Sequence, residues 1–295
     1  MDPSSAPPSP AAVRWIHGPC GLCGADRPRP LLVDRVRDGD QVVGFHIVRC
    51  GACGFVYVNP RGLGPAFDNE AGGAARRDAA VANQTIYRHG LAALRAAGLP
   101  DQGTLLDLGC AYGDFLAFAA DAGYRVTGID LNPASAQLAR ERGFTVLTGD
   151  LRSLEVDQRF DAVTLWDVIE HVDRPVDVLA ACRAVLRPGG LVFFHTGNAR
   201  FQIPKARLLG RLWPGRGPYL IPFQHLSHFD PATARRALEA AGLEPVAVSF
   251  AGTLHYRQRW KRWAMGVLNA GGALPPRWGG PLLTNAMGAI GRRPI

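Results

Sequence analysis

The sequence predicts an α/β protein: a doubly wound parallel sheet with a small cysteine-held module in front of it. Three observations predict this. From Thr104 onward, strand-length apolar runs alternate with stretches of helical spacing. The first of those strands runs into a tight turn, D-L-G-C-A-Y-G over residues 107–113, and then into a helix. Ahead of the alternation stand two matching pairs, C-G-L-C-G at 20–24 and C-G-A-C-G at 50–54.

The chain opens on M-D-P-S-S-A-P-P-S-P, a Pro/Ser tail expected to be disordered through residue 14. It has no basic n-region and no apolar h-region, so no secretory signal is expected. A cytoplasmic, reducing setting is the corresponding expectation, and there paired cysteines are more often metal ligands than disulfides. Cys20, Cys23, Cys50 and Cys53 have the spacing of two knuckles that close a tetrahedron around Zn2+. Gly24 and Gly54 follow the second cysteine of each pair, where a left-handed residue is needed. Q-V-V-G-F-H-I-V and F-V-Y-V read as strands of this module, a zinc ribbon spanning 15–62. Four cysteines leave no open coordination position, so the zinc is expected to be structural. Iron–sulfur ligation and free thiols are the competing readings. Residues 63–101 are expected to form a helical linker or cap.

Strands follow at T-L-L-D-L, R-V-T-G-I-D, F-T-V-L-T, F-D-A-V-T-L-W and G-L-V-F-F-H-T. Helices lie between them. The one after Asn132 carries Pro133 in its first turn, and the one after Arg174 is expected to end at Pro188-Gly189-Gly190. Asp107, Asp130 and Asp150 end three successive strands. An acid placed like Asp130 suits the hydroxyls of a ribose. Three acids would repel a pyrophosphate and suit a ligand bearing positive charge.

These motifs, L-L-D-L-G-C-A-Y-G-D-F, G-I-D-L-N-P, G-D-L and F-D-A-V-T-L-W-D-V-I-E-H-V, resemble the class I S-adenosylmethionine-dependent methyltransferases over residues 102–250. The resemblance implies a Rossmann-like methyltransferase sheet. It implies that Asp107, Gly109 and Gly113 line the methionine part of the cofactor, with Cys110 in the same cofactor-binding turn, although an isolated cysteine also reads as a packing residue. It places Asp130 and Leu131 at the ribose, Asp150 and Leu151 beside the adenine, and Asp167 beside the methyl. Ala111 departs from the family, which often has a glycine there. The four-cysteine module in front is similar to that of bacterial methyltransferases of sugars, glycan intermediates or secondary metabolites, whose N-terminal module helps form the acceptor site.

An alcohol or carbon-acid acceptor needs a base, and histidine suits neutral pH. His225 and His228, in P-F-Q-H-L-S-H-F-D, are candidates, as are His171 and His195. The competing reading for each histidine is a ring satisfied by local backbone. D-x-x-E-H at 167–171 also resembles the E-x-x-E-H of quinone-biosynthesis O-methyltransferases, which implies a divalent metal against a catechol.

Residues 198–228 read as a lid over the acceptor, with five basic residues and no acid from Asn198 to Phe223. Net charge is +8 overall, but +11 from Arg200 onward and −3 before it. Y-R-Q-R-W-K-R-W-A-M-G-V-L, within 251–295, has the pattern of a basic amphipathic helix, as at a membrane surface or lipid carrier. The expected acceptor is a small molecule or glycan. Basic charge and a zinc ribbon also suit RNA, but no N-P-P-Y-type turn follows the fourth strand, so RNA ranks lower.

Overall fold

In a computed structural model the described residues are 14–38, 41–63, 77–213, 217–249 and 284–295. The main sheet has seven strands among these residues. In chain order they are β6 (Thr104–Leu108), β7 (Arg125–Asp130), β8 (Thr145–Thr148), β9 (Phe160–Trp166), β10 (Leu186–Gly197), β12 (Glu244–Ser249) and β13 (Ala286–Arg292). Their spatial order is β12-β13-β10-β9-β6-β7-β8. β6 pairs parallel with β7 and β9, and the order reverses there, so the carboxyl ends of β6, β7 and β9 open onto one crevice.

Local chemistry builds these elements. β6 is buried along its whole length, as a central parallel strand with both faces covered must be. Helix α3 (Pro133–Glu141) starts where Asn132 Oδ1 accepts the N–H groups of Ala134 and Ser135. Helix α6 (Pro231–Ala240) starts in a capping box between Asp230 and Thr233. Helix α2 (Asp114–Asp121) buries Phe115, Leu116 and Ala119, and α4 (Pro175–Val185) buries Val178, Leu179 and Cys182. Each fully buried large side chain is worth roughly 1.5–3 kcal/mol. Helix α1 (Arg77–Ala96) reaches the sheet through Gly90, where a Cβ would fall 2.4 Å from Trp166.

The N-terminal module has a two-stranded sheet and a larger sheet that four strands build. β2 (Pro28–Asp38), β3 (Gln41–Cys50) and β4 (Val56–Val58) are antiparallel, and β1 (Arg14–Ile16) pairs with β5 (Arg61–Leu63). The fourth strand of the β2-β3-β4 sheet comes from far along the chain: β11 (Ser227–His228) pairs with β4.

The structure departs from expectation in several places. The sheet does not end at residue 250: β13 inserts between β10 and β12, antiparallel to both. Residues 286–292 therefore belong to the core and not to a basic appendage. Their A-M-G-A-I-G-R pattern carries two glycines, which weaken a strand signal. The amphipathic stretch at 256–268 lies outside the described residues. Residues 198–228 are not an irregular lid. They hold helix α5 (Ala199–Leu212) and then β11. Helix α4 stops at Val185, ahead of Pro188, and the chain turns directly into β10. No helix among the described residues is long and apolar enough to cross a membrane.

Candidate active site

The turn after β6 forms the floor of the crevice. Gly109, Ala111 and Gly113 have φ of 75°, 48° and 78°, all left-handed. Gly109 has no alternative, because a Cβ would lie 2.5 Å from Val168 Cγ2. Ala111 takes the same hand at a steric cost. Its N–H donates to Asp130 Oδ2 at 2.7 Å, and Asn132 N–H donates to Asp130 Oδ1 at 2.8 Å. A carboxylate offers about four acceptor positions, so roughly two remain for hydroxyls. Asp107 is buried, and its Oδ1 accepts from Thr164 Oγ1 at 2.8 Å. Burial pushes its carboxyl up to about 8, against the Thr164 hydrogen bond, with the Asp130 charge adding to the rise. Leu131 is 70% exposed beside Asp130, an apolar face at the crevice. A buried acid, a second acid with open lone pairs and an apolar platform fit S-adenosylmethionine, which carries an ammonium group, a ribose diol and a flat base.

Three expected cofactor positions sit differently. Asp150 lies in a turn beyond β8, with both its carboxylate oxygens taken by Arg152 at 2.9–3.0 Å, so it is not a third unpaired acid. Leu151 is buried in the core and Cys110 packs its thiol against Gly128, whose added Cβ would meet Sγ at 2.6 Å. Sequence reasoning missed Thr164, whose signal was a polar residue inside the buried strand F-D-A-V-T-L-W.

The acceptor side gathers at the ends of β9 and β10. Asp167, at a left-handed φ of 52°, places Oδ1 2.7 Å from His195 Nδ1. Its side chain is 55% exposed to the crevice. Desolvation pushes its carboxyl upward, but His195, with His171 and His225 beyond, outweighs that and holds it below the usual range. His171 ends a 3-10 turn at Ile169–His171, with its Nδ1 3.0 Å from the carbonyl of Gln224. A carbonyl only accepts, so Nδ1 carries the proton and the neutral ring keeps its lone pair on Nε2. The His225 ring stands edge-on to His171, centroids 5.0 Å apart. Burial lowers His171 and takes His225 down to about 3, with the neighbouring His171 and His228 adding to the latter. Glu170 is buried, its Oε2 has no hydrogen-bond partner, and burial followed by the Asp167 charge pushes it up to about 8. Donor atoms of Glu170, His171 and His225 lie within 4.8 Å of one another.

His225 and His171 thus come together, and His195 joins them through Asp167. His228 does not. It sits on β11, buried among the ribbon strands and α5, and is corrected from a catalytic candidate to a residue of that junction.

The four cysteines converge. Cys20–Cys53 and Cys23–Cys50 Sγ atoms are each 3.6 Å apart, and all four lie within 4.8 Å. A disulfide would need about 2.05 Å. A tetrahedron with Zn–S near 2.3 Å has an edge of about 3.8 Å, so the set fits zinc. Gly24 and Gly54, at φ 72° and 79°, each donate N–H to the carbonyl of the first cysteine of their knuckle, at 2.8 and 2.9 Å.

This sheet order, glycine turn and acid placement meet a family model described as a methyltransferase domain, which matches residues 80–248, more than half of the chain. The chain belongs to that family. Its fold is class I and Rossmann-like, as in S-adenosylmethionine-dependent methyltransferases. The methyltransferase is 35% identical over 157 residues to the ubiquinone biosynthesis O-methyltransferase of Bordetella pertussis, which covers 49% of this chain and 63% of that relative. It is 34% identical over 163 residues to the enzyme of the same name from Aromatoleum aromaticum, covering 51% of this chain and 67% of that one. The chain thus spans less than two thirds of the Bordetella relative. Two solved structures share the fold. One is a chain of the complex between the Haloferax volcanii Trm112 methyltransferase activator and a methyltransferase, at TM-score 0.57 and 19% identity, covering 78% of this chain and 98% of that one. The other is the Synechocystis magnesium protoporphyrin IX methyltransferase with bound SAH, at TM-score 0.51 and 16% identity, covering 76% and 90%.

Proposed function

We propose that the methyltransferase methylates a hydroxyl oxygen of a small acceptor of the quinol or catechol type. The observation that carries this is the meeting of His171, His225, Glu170 and the Asp167–His195 pair at the carboxyl ends of β9 and β10. The ubiquinone-biosynthesis relatives support an aromatic hydroxyl acceptor over the sugar or glycan expected from the zinc ribbon.

S-adenosylmethionine supplies an electrophilic methyl. Asp107, Asp130 and the 109–113 turn hold it. The remaining work is proton chemistry. An alcohol is a poor nucleophile at neutral pH, and His171 Nε2 takes its proton. Asp167 faces the crevice as an anion and stabilises positive charge that develops on the histidines.

A second reading has a specific observation behind it. Glu170 Oε2 is buried and unpartnered, and with His171 and His225 it makes a two-histidine, one-carboxylate donor set suited to a divalent cation. Such a cation would lower the acceptor hydroxyl's pKa directly.

We further propose that zinc occupies the four cysteines and that the ribbon forms one wall of the acceptor site. Its β4 zips to β11, Val58 N–H donates to the Leu226 carbonyl at 2.9 Å, and Ser227 Oγ donates to the Val172 carbonyl at 3.1 Å. Arg61 bridges Pro19 O at 2.8 Å and Asp173 at 3.2 Å. Helix α5 turns Leu208 and Leu212 outward, with Trp213 just beyond its end, among Lys205, Arg207 and Arg211, which suits an anionic membrane surface and an amphiphilic acceptor.

The test is transfer from radiolabelled S-adenosylmethionine to a panel of catechols, hydroxybenzoates and sugars, with and without EDTA. Label in catechols alone supports the reading, and EDTA loss restored by a divalent ion supports the metal. Label in sugars alone overturns it.

A further inference from the structure

His228 remains unexplained by methyl transfer. It is only 4% exposed, and its Nε2 has no hydrogen-bond partner. A buried, unpaired ring nitrogen is costly and calls for a reason. The ring lines a cavity of about 50 Å³ between the ribbon and the methyltransferase domain. Arg49 and Gly54 of the ribbon close one side. Arg200 of α5, with Asp230 and Thr233 at the start of α6, closes the other.

The lining is cationic. Arg49 makes one long bond, 3.4 Å to the Gly54 carbonyl, and a guanidinium has five donors. Arg200 Nε lies 4.0 Å from Asp230 Oδ2, too far for a tight pair. One carboxylate oxygen is occupied: Asp230 Oδ1 accepts from Thr233 N at 2.8 Å and Thr233 Oγ1 at 2.9 Å, while Oδ2 has only the distant Arg200 among the described residues. Two guanidinium groups face one carboxylate, which leaves one positive charge in excess around the cavity. The 14-residue α5 and the 10-residue α6 both begin here. Their first N–H groups are capped, so they add positive potential and not donors.

Size and donor type agree. A water needs about 10–15 Å³ of such space, so this cavity takes a few water-sized units, the size of a tetrahedral oxyanion. Burial lowers His228 to about 4, so the ring is neutral at pH 7 and serves an anion through its Nε2–H tautomer.

We propose that this junction cavity is an oxyanion site that takes one phosphate group, held by Arg49, Arg200 and His228 Nε2. The phosphate ties the second cysteine knuckle to the starts of α5 and α6. The group comes either from free phosphate or from a phosphate ester. The proposal stands apart from the acceptor chemistry and does not need it.

The experiment is thermal unfolding of the full zinc-loaded chain against inorganic phosphate, with sodium chloride at matched ionic strength as reference. Glucose 1-phosphate is the second probe. Saturable stabilisation by phosphate, with a half-point at least tenfold higher in Arg49→Gln, is expected. Arg200→Gln provides the same test from the other wall, should the first variant fold poorly. An equal response to glucose 1-phosphate supports an ester as occupant, and a response to inorganic phosphate alone supports the free ion. A wild type that responds no more to either probe than to chloride overturns the site, as do variants that respond like the wild type.

Discussion

His195 Nδ1 and Asp167 Oδ1 meet at 2.7 Å across the ends of two neighbouring parallel strands, β10 and β9. The register sets Trp166 opposite His195, and Asp167 N–H donates to the His195 carbonyl, so backbone and side chain lock the same pair. Asp167 is thereby held in the left-handed region, where a non-glycine residue is strained. Asp167→Asn keeps the shape and removes the charge. We expect kcat to fall by about 10²-fold, within the range for acid–base groups, while acceptor KM moves less than about threefold. Steady-state kinetics checks this; an unchanged kcat would remove Asp167 from the chemistry.

Asp107 should make cofactor binding release a proton. Its carboxyl, at about 8 in the free protein, is largely protonated at pH 7, and an ammonium beside it favours the anion. Calorimetry in two buffers of different ionisation enthalpy should give different binding heats. The same shift bears on stability. The folded value lies above the unfolded one, so this group's contribution is full below about pH 4 and is lost as pH rises through 8. Asp107→Asn should therefore raise the Tm of the free protein by about 3 °C or more at pH 8.5, and hardly at pH 4.

Metal loss should separate the two halves of the site. In Cys23→Ser one corner of the four-cysteine set is gone, and bound zinc, measured by atomic absorption, should drop to near zero. Acceptor turnover should fall more than tenfold, because β4 then no longer holds β11 and the segment bearing His225. S-adenosylmethionine affinity should stay within about threefold, since Asp107 and Asp130 belong to the other sheet. Full turnover without zinc would reduce the ribbon to an appendage.

The glycine turn should respond in opposite ways at two positions. Gly109→Ala drives a Cβ to 2.5 Å from Val168 and is expected to weaken cofactor binding at least tenfold. Ala111→Gly relieves a left-handed alanine worth about 1–2 kcal/mol, less about 0.5–1 for glycine's extra entropy. A Tm gain of about 1–3 °C should result. A loss of stability in Ala111→Gly would show that the surrounding turn, and not the side chain, sets the cost.

Much of the cofactor half was legible because it is local. Asp107, Gly109, Gly113 and Asp130 sit on strand ends and turns whose geometry follows from nearby residues, and apolar periodicity marks the strands that carry them. The paired cysteines were legible for the same reason: each knuckle is a five-residue turn with its own glycine. Spacing could not show that Arg152, two residues on, pairs with Asp150.

The alternating sheet, the glycine turn, the acids Asp107 and Asp130 and the two cysteine knuckles could be read directly from the chain, because each rests on contacts within a few residues or on a repeating pattern. Which histidines meet could not, because that depends on long-range packing. His171 and His225 are 54 positions apart, and they touch because the Gln224 carbonyl docks on His171 and because the ribbon's β4 captures β11. The same capture draws His228 away into the junction cavity. His228 follows His225 by only three positions, and the pairing of one short strand sends their rings to different sites.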